Sequence, residues 1–207
     1  MYKLATAFVA LLSWAFLSCN NIPDNKAGDN TGEQAIQDPL APSNAVNDQD
    51  LKLVAATFTD VDPKLATSVN AIIERYLQIK NSLARDDADA AEEASSAMSE
   101  MLKKLDKSLF TAEQKKLYEG IEDDLKEHAE HISKSKIGHQ REHFAMMSED
   151  VYDIAKAFGS GRTLYHDFCP MFNEHKGAGW LSEHADIINP YYGSKMPNCG
   201  IVEEKIQ

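Results

Sequence analysis

The chain contains little cysteine, glycine or proline and has too few basic residues to balance its acids. Its 207 residues include 3 Cys, 10 Gly and 7 Pro, which excludes a collagen-like repeat and a disulfide-dense mini-protein. The 21 Lys and Arg residues face 33 Asp and Glu, for a net charge of -12. A nucleic-acid partner requires a basic stripe that neutralises phosphates, so we expect no nucleic acid to bind. An acidic surface suits cations instead.

Signatures of the common enzyme classes are also missing. The sequence has no GxSxG elbow, no P-loop, no HExxH pair and no glycine-rich turn after a strand. A cysteine nucleophile needs a base and an electropositive pocket, whereas Asp167 stands two residues from Cys169 in an acidic chain. We therefore expect a protein that is not an enzyme.

The longest apolar run lies at the start of the chain. Lys3 precedes an apolar stretch over residues 4–17, and Ser18 and Cys19 follow it. This pattern predicts an export signal over residues 1–19, too short to span a bilayer in the mature protein. A small residue followed by Cys at the end of such a run resembles the lipobox of bacterial lipoproteins, which implies lipidation at Cys19. The alternative is cleavage by ordinary signal peptidase, with Cys19 left as a free thiol.

The residues after Cys19 bear on location and attachment. Asn20 and Asn21 lack the aspartate that resembles an inner-membrane retention signal. We therefore expect an outer-membrane lipoprotein that faces the periplasm or the cell surface and has the lipid bilayer as a partner. Residues 20–51 are rich in Asn, Asp, Gly, Pro, Gln and Ser. Such a stretch buries too little apolar surface to offset its ordering entropy, which predicts a flexible tether.

Helical periodicity dominates the first part of the remaining domain, residues 52–207. Apolar residues recur there at three- and four-residue steps. Asp62 and Pro63 suit the N-cap and first position of a helix, and Thr111 with Gln114 has the form of a capping box. The four predicted helices cover about residues 63–85, the stretch after Asp86 as far as Leu105, residues 111–132 and residues 139–158.

Four such helices with short connections favour an all-α fold, an antiparallel four-helix bundle. After Gly161 the chain becomes rich in turn residues and aromatics, with short apolar pieces. We expect residues from about 162 to 207 to form an irregular or short-strand arm that packs on the bundle.

Soft and borderline metal donors gather in this C-terminal segment. Cys169 and Met171 form a CPM motif, and Met196 and Cys199 form an MPNC motif thirty residues later. Thiolate, thioether and imidazole are the ligands that select copper(I) and, to a lesser degree, zinc. The predicted metal ligands are Cys169, Met171, Met196 and Cys199, with His166 as an optional member.

A structural disulfide between Cys169 and Cys199 is the alternative. Two cysteines in an exported domain often pair in this way, and closing a loop of this length stabilises a fold by roughly 3–4 kcal/mol. Met171 and Met196 would then fill gaps in the core. The residue types alone leave both alternatives open.

Several blocks of the C-terminal segment carry a family resemblance. These blocks are CPM at residues 169–171, AGWLS at 178–182, NPYYG at 189–193, Met196, and CG at 199–200. Together they resemble the signature of domain-of-unknown-function family 3347, which comprises bacteroidete lipoproteins with four helices. Related copies end the periplasmic adaptor subunits of copper/silver efflux pumps. The resemblance covers about residues 65–206. It implies association with a heavy metal, chiefly copper, in the cell envelope, and an efflux-system protein as a partner.

Two histidine pairs form a second set of candidate ligands. His128 and His131 lie one turn apart near the end of the third predicted helix, and His139 and His143 lie one turn apart in the fourth. An antiparallel hairpin would bring both pairs to the same end of the bundle, where four imidazoles can hold zinc or copper. The alternative is that these histidines are solvated residues on exposed helix faces.

The residues and the resemblance together predict an envelope lipoprotein that binds copper(I) through its C-terminal Cys/Met cluster. Its role would be sequestration of copper or transfer to an efflux system. The alternative is a structural or interaction module without metal, held by a Cys169–Cys199 disulfide.

Overall fold

The computed structural model describes residues 51–207, which form a mostly helical fold with a four-stranded sheet. The predicted signal, Cys19 and all of the predicted tether except Leu51 lie outside the described residues. No described helix is long and apolar enough to cross a membrane. The helices are α1 Pro63–Ala84, α2 Ala88–Lys104, α3 Ala112–Glu119, α4 Glu122–Ile132, α5 Ile137–Phe158 and α6 Phe172–His175. The strands are β1 Lys52–Val54, β2 Leu164–Cys169, β3 Ala178–Ser182 and β4 Ile201–Ile206.

Local capping explains where the helices begin. The Asp62 carboxylate accepts hydrogen bonds from the backbone N–H groups of Lys64 and Leu65, so α1 begins at Pro63. Thr111 and Gln114 form the predicted capping box at the start of α3.

The single helix predicted over residues 111–132 is wrong, because the structure has α3 and α4 in its place. α3 ends at Glu119, and Gly120 follows it. Glycine is a poor helix former, which weakens the helix at this position. Acidic residues occupy the first turn of α4, where the positive end of the helix dipole stabilises them.

The long helices pack against one another around an apolar core. α1 packs on α2 and α5, and α4 packs on the same two helices. Their buried side chains include Ile72, Met98, Leu125 and Val151. The domain is therefore mostly helical, as predicted, but it is not all-α because it also contains a sheet. The antiparallel four-helix bundle stays a prediction.

The predicted irregular or short-strand arm supplies three strands of a four-stranded sheet of order β1-β4-β2-β3, which is larger than the short arm expected. β2 pairs antiparallel with β3 and β4, and β1 pairs parallel with β4 at the outer edge. Residues 52–54 thus join a partner strand about 150 residues away along the chain. A strand pairing over this sequence separation leaves no pattern in the local sequence, because its hydrogen bonds join backbone groups from opposite ends of the domain.

The sheet is fastened to the helices by buried side chains. The Tyr76 hydroxyl of α1 accepts a hydrogen bond from the Leu181 N–H at 2.9 Å and lies 2.8 Å from the Ser148 hydroxyl of α5. Trp180 of β3 is fully buried and lies edge-on to Tyr191. The C-terminal segment is therefore continuous with the helical core.

Asp167 is the most unusual buried group in this interface. Its side chain is fully buried, and neither carboxylate oxygen has a hydrogen-bond partner within the described residues. Burial raises the pKa of Asp167 to about 8, the charges of Glu183 and Glu203 add to the rise, and Lys80 opposes it. Lys80 is itself fully buried and pairs with Glu183 at 2.6 Å. Asp167 therefore carries a proton at neutral pH.

We expect Asp167→Asn to change how stability depends on pH. The carboxyl ionises in the unfolded chain at about pH 4 but keeps its proton in the fold to about pH 8, so wild-type stability falls as pH rises through this window. Measured by urea unfolding, the stability of D167N relative to wild type should rise by about 3–4 kcal/mol from pH 5 to pH 8. Asp186→Asn at an exposed position is the control. An equal effect of D167N at both pH values would contradict the assignment.

Candidate metal centre

The hairpin of α4 and α5 carries the four histidines of the second predicted set. A connection over residues 133–136 joins the two helices. His128 and His131 are three residues apart on α4, and His139 and His143 are four apart on α5, so each pair lies on one helix face. The side chain of Gln140, which is fully buried, donates hydrogen bonds to the carbonyls of Ile132 at 3.1 Å and Ala88 at 3.0 Å. These bonds fix α5 against the end of α4.

The imidazoles of His128, His131 and His139 each contact that of His143. His143 Nε2 lies 3.1 Å from His139 Nε2, and His143 Nδ1 lies 3.1 Å from His128 Nδ1. The His131 ring stacks on that of His143 with centroids 4.1 Å apart and planes at 6°. Ligand atoms of His131, His139 and His143 all lie within 4.8 Å of one another. Two nitrogens bound to one tetrahedral zinc ion at about 2.0–2.1 Å are about 3.4 Å apart. Small adjustments of these rings would therefore accommodate an ion.

Burial keeps the histidine side chains at the centre of the cluster neutral. Burial lowers the pKa of His143 to about 4, and the three neighbouring histidines add to the decrease. Burial also lowers the pKa of His128. Both side chains are therefore neutral at pH 7. A neutral imidazole keeps a lone pair on one ring nitrogen, which metal binding requires.

Carboxylates lie on the outer side of the cluster. Glu142 Oε2 is 3.0 Å from His139 Nδ1, and Glu127 Oε1 is 3.9 Å from His131 Nε2. His139 thus has one ring nitrogen against a carboxylate and the other toward His143. Metal-bound histidines commonly make such a contact to a carboxylate with the nitrogen that does not bind the ion. Glu142 was not predicted from the sequence, although its three-residue spacing from His139 is a usable signal.

The cluster is open to solvent on one side. His143 is 8% exposed, whereas the side chains of His131 and His139 are 45% and 48% exposed. An ion bound here would keep room for water or another ligand, unlike a closed structural site.

The predicted C-terminal set is only partly brought together. Cys169 Sγ lies 3.3 Å from Cys199 Sγ, and both cysteines are free thiols. Cys169 is fully buried and Cys199 is partly buried. Burial and the neighbouring Cys169 raise the pKa of Cys199 to about 11. The buried side chain of Asn189 holds the loop in place by donating to the Cys199 carbonyl.

The remaining members of that set lie in different surroundings. Met171 is 40% exposed, and Met196 is partly exposed. His166 stacks on Tyr152 and pairs with Glu203 at 3.2 Å. His166 and Cys169 are three residues apart on β2, so their side chains lie on opposite faces of the sheet. The structure thus brings the two thiols together and places His166 on the other face of the sheet.

Comparison with known proteins finds one family. Residues 72–163 match the model of a family described as a protein of unknown function (DUF3347). The match includes all four clustered histidines and ends before β2, so the C-terminal blocks from Cys169 onward lie outside it. No curated protein and no solved structure matches the chain significantly.

We expect the two thiols to differ in reactivity. In the reduced, folded protein, iodoacetamide should alkylate Cys199 faster than Cys169, because Cys169 is fully buried and reacts only after local opening. Peptide mapping by mass spectrometry measures both rates. The same reaction in urea is the control and should label both residues equally. Equal rates in the folded protein would show that Cys169 is accessible.

Proposed function

We propose that this chain, whose residues 72–163 belong to the DUF3347 family, binds a transition-metal ion at the α4–α5 histidine cluster. One observation carries the proposal: ligand atoms of His131, His139 and His143, from two helices, lie within 4.8 Å of one another. Imidazole suits zinc, copper, nickel and iron and is a poor ligand for magnesium and calcium.

The charges around the cluster favour a cation. Neutral imidazoles leave the full charge of a bound divalent ion uncompensated. The charges of Asp124, Glu127 and Glu149 act to raise the pKa of His128, which means that they favour positive charge there. Glu142 lies against His139. These carboxylates would offset the charge of the ion without occupying its coordination positions.

Copper is the ion we favour, with zinc as the alternative. Copper(II) has the highest affinity of the divalent first-row metals for a given nitrogen site. Because the cluster is open on one side, a bound ion would exchange with other ligands, which fits sequestration or transfer to an efflux-system protein. Anchoring at the outer membrane through Cys19 and a four-helix bundle as the scaffold complete the proposal. Both rest on the sequence.

We expect the purified protein to bind one zinc or copper(II) ion, and His139→Ala with His143→Ala to weaken binding by more than about 100-fold. Competition with a chelator measures the affinity of each form. Zinc at about 100 times the wild-type Kd should raise the free energy of unfolding of the wild type by about 2.7 kcal/mol and that of the variant by less than about 0.4 kcal/mol.

The matched control is His184→Ala, which removes an exposed histidine outside the cluster and should keep wild-type affinity. Circular dichroism of the metal-free proteins checks that all forms are folded. Wild-type affinity in the double variant would contradict the proposal.

The Cys169–Cys199 pair supports a second candidate site, because its sulfur atoms lie 3.3 Å apart. Two thiolates form a soft site suited to copper(I), and Met171 or Met196 would be additional donors. The same proximity suits a disulfide. Intact mass with and without reductant separates the two states.

In the His139→Ala, His143→Ala background, we expect Cys169→Ser with Cys199→Ser to abolish copper(I) binding under anaerobic reducing conditions. The double-histidine background removes the contribution of the cluster. Native mass spectrometry counts the retained ions. Equal copper(I) retention with and without the thiols would exclude them as ligands.

A further inference from the structure

We propose that His128 is a positioning residue that holds His143 in its metal-binding tautomer and is not itself a ligand. This inference rests on the proposed function. It concerns the fourth histidine of the cluster, which lies against His143 on α5.

Both ring nitrogens of His143 face another histidine. Nε2 lies 3.1 Å from His139 Nε2, and Nδ1 lies 3.1 Å from His128 Nδ1. The two nitrogens lie on different edges of the ring. An ion shared by His143 and His139 through their Nε2 atoms would therefore lie on the edge away from the His128 contact.

The grouping of possible ligand atoms in the cluster also separates the ion from His128. The three histidines whose ligand atoms lie within 4.8 Å of one another are His131, His139 and His143. His128 is outside that group, although its ring is 5.3 Å from that of His143. Three protein ligands with an open position are typical of an exchangeable or catalytic site.

Proton counting then assigns the role. A neutral imidazole has one N–H and one lone pair. If the Nε2 lone pair of His143 binds the ion, its proton must lie on Nδ1. At 3.1 Å that N–H can donate to His128 Nδ1, provided that His128 keeps its own proton on Nε2. His128 thus selects the tautomer of His143 and fixes the ring plane.

Two substitutions at position 128 separate positioning from ligation. In His128→Asn the amide oxygen replaces Nδ1 as a hydrogen-bond acceptor near the same place, but an amide is a weak metal ligand. His128→Ala removes the acceptor. We expect H128A to weaken zinc binding about 10- to 100-fold, and H128N to keep an affinity close to that of the wild type, with one ion bound by each form.

The matched control is position 131, where His131→Ala and His131→Asn should both lose affinity, because His131 is assigned as a ligand. Electron paramagnetic resonance of bound copper(II) provides a second readout. Its nitrogen hyperfine pattern should be the same in wild type and H128N and should change in H131N. Thermal unfolding of the metal-free variants checks the fold.

The outcomes are distinguishable. Equal losses in H128A and H128N, with a changed copper(II) spectrum, would make His128 a ligand and overturn the inference. Wild-type affinity in H128A would leave His128 without a role. Two ions bound by the wild type and one by H128A would indicate a second ion between His128 and His143, and would also overturn the inference. An unmodified protein that binds no ion would overturn the proposed function and, with it, this inference.

Discussion

The antiparallel packing of α4 on α5 is the constraint on which the candidate metal centre depends. Leu125, Ala129 and Ile132 of α4 are fully buried, as are Met147 and Val151 of α5, so the register of the two helices is set by apolar contacts. Gln140 also helps to fix this register, because its side chain donates a hydrogen bond to the carbonyl of Ile132 at the end of α4, which has no intrahelical partner. Because the helices are held in this register, the two histidine pairs meet. The local structure of each helix alone would not bring them together.

α5 also connects the histidine cluster to the C-terminal segment. On one face it presents His139 and His143 to α4. Between them in sequence, Arg141 donates hydrogen bonds to the carbonyls of Pro190 and Leu83 at 2.8 Å and pairs with Asp86 at 2.6 Å. Arg141 thereby fixes the loop that leads to Cys199. The two donor sets therefore belong to one framework but differ in chemistry. The imidazoles are borderline donors at a partly open surface, whereas the thiols are soft donors, with Cys169 fully buried and Cys199 partly buried.

Several features were predictable because their causes are local. The N-cap at Asp62, the capping box at Thr111 and the periodicity of the long helices depend on residues within a few positions of one another. The meeting of the histidine pairs was one of two alternatives, because spacing shows which residues share a helix face but not what that face packs against. The sheet was not predictable from short apolar pieces, since β1 and β4 come from opposite ends of the domain.

The sequence by itself determined the acidic charge, the three long helices α1, α2 and α5, and the identity of the donor residues, because composition and short-range periodicity contain that information. Only the tertiary structure decided which donors become neighbours. It placed His143 between His128 and His139, brought the Cys169 and Cys199 thiols within 3.3 Å of each other, and placed His166 on the opposite face of β2 from Cys169. These arrangements depend on helix register and on the pairing of β2 within the sheet, both of which are settled by long-range packing and not by the residues adjacent in sequence.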